Sequence, residues 1–116
     1  MILLMLAAVL NGAPHVFDVQ MENLALPDAL TEVAHATGWH CSAARGSSLR
    51  INVEARDISK DELLNGFKHA LTASGFDVVE EGGSCLVMQQ AGKPHARSVQ
   101  LARMNGKWLV RPGPAQ

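Results

Sequence analysis

The chain has 116 residues, the length of one domain, which excludes an enzyme built from two domains. Apolar residues make up 47% of the chain and charged residues 18%, a composition that excludes a disordered protein, and the net charge of −1 excludes the basic balance typical of nucleic-acid binding. All eleven acidic residues lie between Asp18 and Glu81, whereas five of the ten basic residues follow residue 90. The sequence therefore predicts an acidic body with a basic C-terminal arm.

The first ten residues form an unbroken apolar run, which ends at the helix-stopping group Asn11-Gly12-Ala13-Pro14. As a helix this run would be about 15 Å long, half of a bilayer core, so it is too short for an ordinary transmembrane segment. Two interpretations of residues 1–14 stay open. The run is either a secretory signal with Ala13 at the cleavage site, or an apolar N-terminal helix that packs on the domain.

Past Pro14 the sequence repeats one short unit. In the first unit, alternating residues 17–21 predict a strand, and Asn23-Leu24 then leads into a helix from about Pro27 to Thr37. In the second unit, residues 51–55 alternate in the same way and Asp57-Ile58 stands in the place of Asn23-Leu24. Ser59-Lys-Asp-Glu62 is a capping box that starts the second helix. Gly38 and Gly75 mark the two helix ends.

Each predicted helix is followed by strand-like sequence. Residues 39–43 follow the first helix, and residues 76–80 follow the second and turn at Gly82-Gly83 into another strand, residues 84–88. Two βαβ-like repeats of this kind bury their apolar faces only against each other. We therefore expect an α+β domain over residues 15–90, in which two helices pack against two small β-sheets.

The C-terminal arm contains a second hairpin signal. Residues 91–96 resemble a linker, and residues 97–112 predict a basic β-hairpin that turns at Asn105-Gly106. A two-stranded hairpin is marginally stable alone, so this one must dock on the domain or on a partner. Trp and Arg are enriched at the centres of protein interfaces.

We therefore predict that side chains of this hairpin contact a partner. The candidates are Trp108 and Arg111, with Arg103 and Val99 on the preceding strand. The alternative for Trp108 is that it packs on its own domain.

Cys41 and Cys85 are the only cysteines. An exported chain would permit a disulfide between them, whereas in a reducing compartment both would be small buried apolar residues. A metal or redox site using His40, Cys41 and Cys85 is a further alternative, although the chain has no CxxC or HxxxH spacing to support it. No nucleophile with a neighbouring base and no glycine-rich phosphate loop occurs, so we expect no enzyme activity, no cofactor, no metal and no nucleic-acid partner.

The order of these motifs over roughly residues 16–89 resembles a known family. An alternating strand, Asn23-Leu24, a helix ending in Thr37-Gly38, the strand 51–55, Ile58-Ser-Lys-Asp-Glu-Leu63 and the segment 75–88 resemble the N-terminal N0 domain of outer-membrane secretins. The short N-terminal (STN) domain of TonB-dependent receptors is similar. Because the chain carries neither a secretin pore nor a receptor barrel, we expect a free-standing N0-like protein or a piece of a longer one.

The resemblance implies a function as well as a fold. N0-like domains are periplasmic or outer-membrane-associated docking modules, so it implies a non-enzymatic role in assembling a secretion apparatus such as type II, a pilus or a conjugation apparatus. The implied partners are an inner-membrane assembly component or a secretin subunit, and for the receptor-type domains an anti-sigma regulator. A homo-oligomer within a ring assembly is also compatible with it.

Overall fold

The computed structural model describes residues 2–7, 16–44 and 48–114. Its elements in chain order are β1 (Ile2–Ala7), β2 (Val16–Ala25), α1 (Leu26–Thr37), β3 (Ser42–Ala43), β4 (Arg50–Ile58), α2 (Lys60–Ala73), β5 (Phe76–Glu81), β6 (Ser84–Gln89), β7 (Ser98–Met104) and β8 (Lys107–Pro112). The predicted α+β fold, with two helices, two β-sheets and a C-terminal β-hairpin, is confirmed.

The two helices begin in different ways. Helix α1 has Pro27 in its first turn, where the missing N–H is not needed, and no side chain caps its N-terminus. Helix α2 has the complete predicted capping box: the Ser59 hydroxyl accepts a hydrogen bond from the Glu62 N–H at 3.2 Å, and the Glu62 carboxylate accepts one from the Ser59 N–H at 3.0 Å. Helix α1 ends at Gly38, whose φ of 79° is the left-handed conformation that the sequence predicts there.

The larger sheet has the strand order β1-β2-β4-β7-β8. Strands β2 and β4 of the two repeats pair antiparallel, β7 lies parallel to β4, and β8 returns antiparallel to β7. The smaller sheet has the order β3-β6-β5, in which β3 pairs with β6 over only two residues. The strand expected over residues 39–43 is therefore much shorter than its sequence suggests.

Both helices lie between the two sheets and contact each other. Helix α1 packs against β2, β4 and β3, while α2 packs against β5, β7 and β8. The apolar stripes predicted on the helices face this shared interior. The largest fully buried side chains are Phe67, Phe76, Leu26, Leu30, Leu49, Ile51, Ile58, Leu63, Leu71, Leu101, Val19 and Val33. One hydrophobic core therefore joins both repeats and both sheets.

The C-terminal hairpin belongs to the main sheet. Strand β7 pairs with β4 from Ser98 to Ala102, and its Val99 and Leu101 are buried in the core. The segment expected as a linker also packs on the domain, since the buried Ala96 donates its N–H to the Ser74 carbonyl at 2.9 Å. The hairpin that the sequence analysis sets apart as a tail is thus an integral part of the fold, because parallel pairing with β4 covers the side of that strand which β2 leaves open.

The N-terminal apolar run is not the helix that one of the two interpretations predicts. Residues 2–7 form strand β1, antiparallel to β2 with Ile2 opposite Met21, in place of the apolar helix considered above. The unpaired side of β2 offers backbone hydrogen-bonding groups that an extended segment satisfies and a helix does not. Residues 8–14 lie outside the described residues. Removal of the run as a signal stays a prediction, and no helix in the described residues is long and apolar enough to cross a membrane.

Candidate docking site

The side chain of Trp108 attaches the hairpin to helix α2. Its indole Nε1 donates a hydrogen bond to the Glu62 carbonyl oxygen at 3.1 Å, and the Arg103 guanidinium lies 5.2 Å from the centre of its ring. Arg103 also forms an ion pair with the Glu62 carboxylate. Trp108, Arg103 and Glu62 therefore form one cluster, the hairpin clasp, which holds β7 and β8 on the first turns of α2.

Gly66 provides the space for this clasp. It is buried on the face of α2 that meets β8, and a Cβ atom at this position would overlap the Trp108 indole ring. Glycine in the middle of a helix ordinarily costs about 0.5–1 kcal/mol relative to alanine. Glycine is nevertheless required at this position, because the close approach of the indole ring leaves no space for a side chain.

The clasp also sets the ionisation of Glu62. The hydrogen bond from the Ser59 backbone N–H is the main cause that lowers its pKa, and the Ser59 hydroxyl and the Arg103 charge lower it further, against a smaller opposing effect of burial. The charged carboxylate therefore acts in two places at once. It caps α2 and it pairs with the hairpin.

The four residues predicted to bind a partner differ in their exposure to solvent. Val99 is 1% exposed, so its prediction as a contact residue is wrong: it lies on the inner face of β7, where the core covers it. Arg103 and Trp108 are partly buried in the clasp, which agrees with the alternative that Trp108 packs on its own domain. Arg111 is exposed on the outer face of β8, and its contact with a partner stays a prediction.

A more exposed apolar surface lies on the smaller sheet. Val79, Leu86 and Met88 are 42%, 38% and 40% exposed and project from the face that points away from the helices; we call them the small-sheet patch. Asp77 and Glu81 share this face on strand β5. This patch is not among the sites predicted from the sequence, although the sequence contains a signal for it. Leu86, Val87 and Met88 are consecutive apolar residues in one strand, so both faces of that strand must be apolar.

A second pair of exposed apolar residues lies on the larger sheet. Met104 and Leu109 are 55% and 44% exposed on the outer face of the C-terminal hairpin, beside the basic residues Lys107 and Arg111. The charges around the two exposed apolar surfaces thus have opposite signs. The small-sheet patch has acidic neighbours on β5, and Met104 and Leu109 have basic neighbours on β8.

The sulfur atoms of Cys41 and Cys85 are joined in a disulfide. This bond connects the segment after α1 to strand β6, across 44 positions of sequence. His40 lies beside it and lines the same shallow clefts. Within the part of the chain that the structure describes, no three histidine, cysteine or acidic side chains are placed to hold a metal ion, so the metal-binding alternative is not favoured.

On the opposite side of α2 from the clasp, Lys68 joins the helix to the smaller sheet. Its ammonium group pairs with the Glu80 carboxylate at 2.8 Å and lies 5.2 Å from the centre of the Trp39 ring. The hydrogen bond and charge of Lys68 lower the pKa of Glu80. The pair is solvent-exposed, so it orients the strand and contributes little stability.

Comparison with known proteins identifies the architecture. No family model matches the sequence, and no curated protein matches it either. Among solved structures, the N-terminal domain of the secretin XcpQ from Pseudomonas aeruginosa matches with a TM-score of 0.62 at 14% sequence identity, over 75% of this chain and 39% of that one. A mutant of the same domain, described as a dimer, matches equally well. The chain therefore has the fold of part of a secretin N-terminal domain, and it spans 39% of the length of the domain it matches.

Proposed function

We propose that this chain is a non-enzymatic docking module of the Gram-negative envelope, which holds components of a secretion, pilus or conjugation apparatus together. The observation that carries the proposal is the combination of the secretin N-terminal fold with an exposed apolar patch that the domain does not use for its own core. The partner class that fits best is an inner-membrane assembly component or a secretin subunit.

The small-sheet patch is the surface that we assign to docking. Three large apolar side chains exposed side by side gain free energy when a partner covers them, at about 25 cal/mol for each Å² of apolar surface removed from water. The neighbouring Asp77 and Glu81 favour a partner with basic residues around an apolar contact, because opposite charges steer association and exclude other partners.

The disulfide supports a location outside the cytosol. Disulfides persist in oxidising compartments such as the periplasm and are rare where thiol reductants act. An apolar N-terminal run, if it is a signal, would direct the chain to that compartment. Cell fractionation with N-terminal sequencing of the recovered protein tests both ideas: we expect periplasmic or outer-membrane-associated protein with Cys41 and Cys85 oxidised.

Photo-cross-linking in intact cells tests the docking role directly. A photoreactive amino acid at Leu86 should capture an envelope apparatus protein, and the additional substitution Met88→Lys should abolish that product. The control substitution Met104→Lys, at a methionine on the other sheet that is more exposed than Met88, should leave it unchanged. A probe at Leu86 that captures no envelope protein, or a product indifferent to Met88→Lys, would refute the assignment of this surface.

A further inference from the structure

Strands β5 and β8 are each the last strand of their sheet, and they lie on the same side of the molecule. β5 is the edge next to β6, and β8 is the edge next to β7. Helix α2 packs against both, whereas α1 packs against strands at the other side. Each edge has a row of backbone groups that no strand in the described residues pairs with, and such edges pair readily with further strands.

The side chains along these two edges have matching patterns. On the outward face β5 carries Asp77, Val79 and Glu81, which is acid, apolar, acid. The corresponding face of β8 carries Lys107, Leu109 and Arg111, which is base, apolar, base. In an antiparallel pairing with the apolar residues opposite each other, each acidic residue of β5 lies opposite a basic residue of β8. Cross-strand pairs of opposite charge stabilise a sheet, and like charges destabilise it.

The free backbone N–H and C=O groups of β5 and β8 fit the same register as the side chains. Gly82-Gly83 is a two-residue turn with both φ angles positive, so Glu81 and Ser84 close the hairpin as a hydrogen-bonded pair. Because such pairs alternate along a hairpin, the N–H and C=O groups of Val78 and Glu80 point to the free side of β5.

The Asn105-Gly106 turn of the other hairpin also has two positive φ angles, so Met104 and Lys107 close that hairpin as a hydrogen-bonded pair. The free groups of β8 are those of Trp108 and Val110. Gly113 donates its N–H to the Ser98 carbonyl at 2.7 Å, which agrees with this alternation.

We propose that β5 pairs antiparallel with β8 of a second copy of this chain, and β8 with β5 of that copy, in a two-fold symmetric dimer. The register puts Val79 opposite Leu109, Asp77 opposite Arg111 and Glu81 opposite Lys107. The free groups of Val78 and Glu80 then meet those of Val110 and Trp108, so charge, apolar contact and backbone bonding all select one register.

The charges also explain why the pairing joins unlike edges. Two β5 strands would bring acidic residues together, and two β8 strands would bring basic residues together, both of which are unfavourable. A two-fold axis that pairs β5 with β8 of the second copy necessarily pairs β8 with its β5, which closes the assembly at two copies. Leu109 of the second copy would then lie beside Val79 and extend the small-sheet patch. In the dimer Asp77 and Glu81 pair with basic residues of the second copy, so an envelope partner docks on the patch through Leu86 and Met88. This proposal does not depend on the identity of any envelope partner.

Charge-reversal variants test the dimer by analytical ultracentrifugation over a wide range of concentration. One variant reverses the acidic edge (Asp77→Lys with Glu81→Lys), and the other reverses the basic edge (Lys107→Glu with Arg111→Glu). Each alone should raise the dimer dissociation constant about tenfold to a hundredfold, because four cross-strand pairs become repulsive. An equimolar mixture of the two should form a heterodimer of native affinity, since every acidic edge again faces a basic edge.

Two single substitutions on one sheet face provide a matched pair. Val79→Lys places a charge at the centre of the seam and should abolish the dimer, whereas Met88→Lys, one strand further in, should leave it intact. Met88→Lys is also the variant that should lose the envelope partner. The experiments can therefore refute the docking proposal without refuting the dimer, and the dimer without refuting the docking proposal. A native chain that stays monomeric, a dimer indifferent to both charge reversals, or a mixture that does not regain affinity would overturn the dimer. Far-ultraviolet circular dichroism of each variant shows that it is folded.

Discussion

The two repeats of this protein share a strand with a bulge followed by a helix, and they differ in how the helix is held. In the first, Glu22 and Asn23 form a bulge opposite Asn52, whose side-chain oxygen accepts the Asn23 N–H at 2.9 Å. In the second, the bulge is at Asp57, and the Asp18 carboxylate accepts its N–H, also at 2.9 Å. Both bulge residues have positive φ, 49° and 53°. Equivalent positions of the repeats therefore bond reciprocally across the β2–β4 pair.

The repeats differ in what holds their helices. The segment after α1 is joined to the smaller sheet by the Cys41–Cys85 disulfide, whereas α2 is held by the hairpin clasp through Glu62 and Trp108. Counted from the bulges, Gly66 of α2 corresponds to Glu32 of α1. The two repeats therefore keep the same order of strand, bulge and helix, while their helix caps and the residues that receive long-range contacts differ.

The hairpin should be the attachment whose loss costs most. Deleting residues 97–116 removes the parallel partner of β4 and two buried side chains, so we expect loss of cooperative folding. The point substitution Leu101→Ala should lower the free energy of unfolding by about 2–5 kcal/mol, since this side chain is fully buried. Its neighbour on the exposed face, Gln100→Ala, should change it by less than about 0.5 kcal/mol. Denaturant unfolding measures all three, and a cooperative transition in the truncated chain would contradict the expectation.

The disulfide should be the next largest contribution, and it should act on the first repeat. Replacing both cysteines by alanine removes a cross-link that closes a long loop of the unfolded chain, and the expected loss is about 2–4 kcal/mol. Hydrogen exchange should show that the loss of protection begins around α1 and β3. Equal loss over both helices would show that the disulfide supports the domain as a whole and not one repeat.

Gly66→Ala tests whether the Trp108 ring limits the side chain that α2 can carry at this position. In an exposed helix this change stabilises, but here the new methyl group meets the Trp108 ring, so we expect a destabilisation of about 1–3 kcal/mol. In a Trp108→Ala background the same change should become stabilising by about 0.5–1 kcal/mol, because only helix propensity remains. A double-mutant cycle by thermal unfolding measures the difference. Additive effects would show that the indole ring does not limit this position.

Glu62→Gln should weaken the clasp in a pH-dependent way. Because the folded pKa of Glu62 is lowered, its contribution is present above the ordinary glutamate pKa, about 4.3, and is lost as the pH falls through the lower folded value. At neutral pH we expect a loss of about 0.5–1 kcal/mol, limited by solvent exposure. The difference from the native chain should shrink in acid. Glu32→Gln on α1 is the control and should show little effect at either pH.

The smallest expected effects are at the two bulges. Asn23→Gly and Asp57→Gly put a residue without Cβ at a positive φ, which should change stability by about 0.5 kcal/mol or less. If the reciprocal bonds make the repeats equivalent, the two variants should agree within the error of chemical unfolding. A clear difference between them would show that one bulge carries strain that the other does not.

Capping and turn residues in the sequence predict most of the helix ends and hairpins of the fold. Ser59 and Glu62 mark the start of α2, Gly38 the end of α1, and the Gly82-Gly83 and Asn105-Gly106 turns specify two hairpins. The candidate site is less predictable. Val99 has the alternation of a strand, but alternation does not say which face is covered, so its assignment to a partner surface was wrong.

The two helices, their ends, the duplicated unit and the hairpin turns follow from local sequence, because capping and turn residues act over a few positions. Three features are visible only in the folded chain: β7 pairs with β4, Trp108 lies on Gly66, and β5 and β8 are edges on one side of the molecule. These features depend on contacts between residues far apart in sequence, and no local propensity encodes which distant strand or helix a given face will meet.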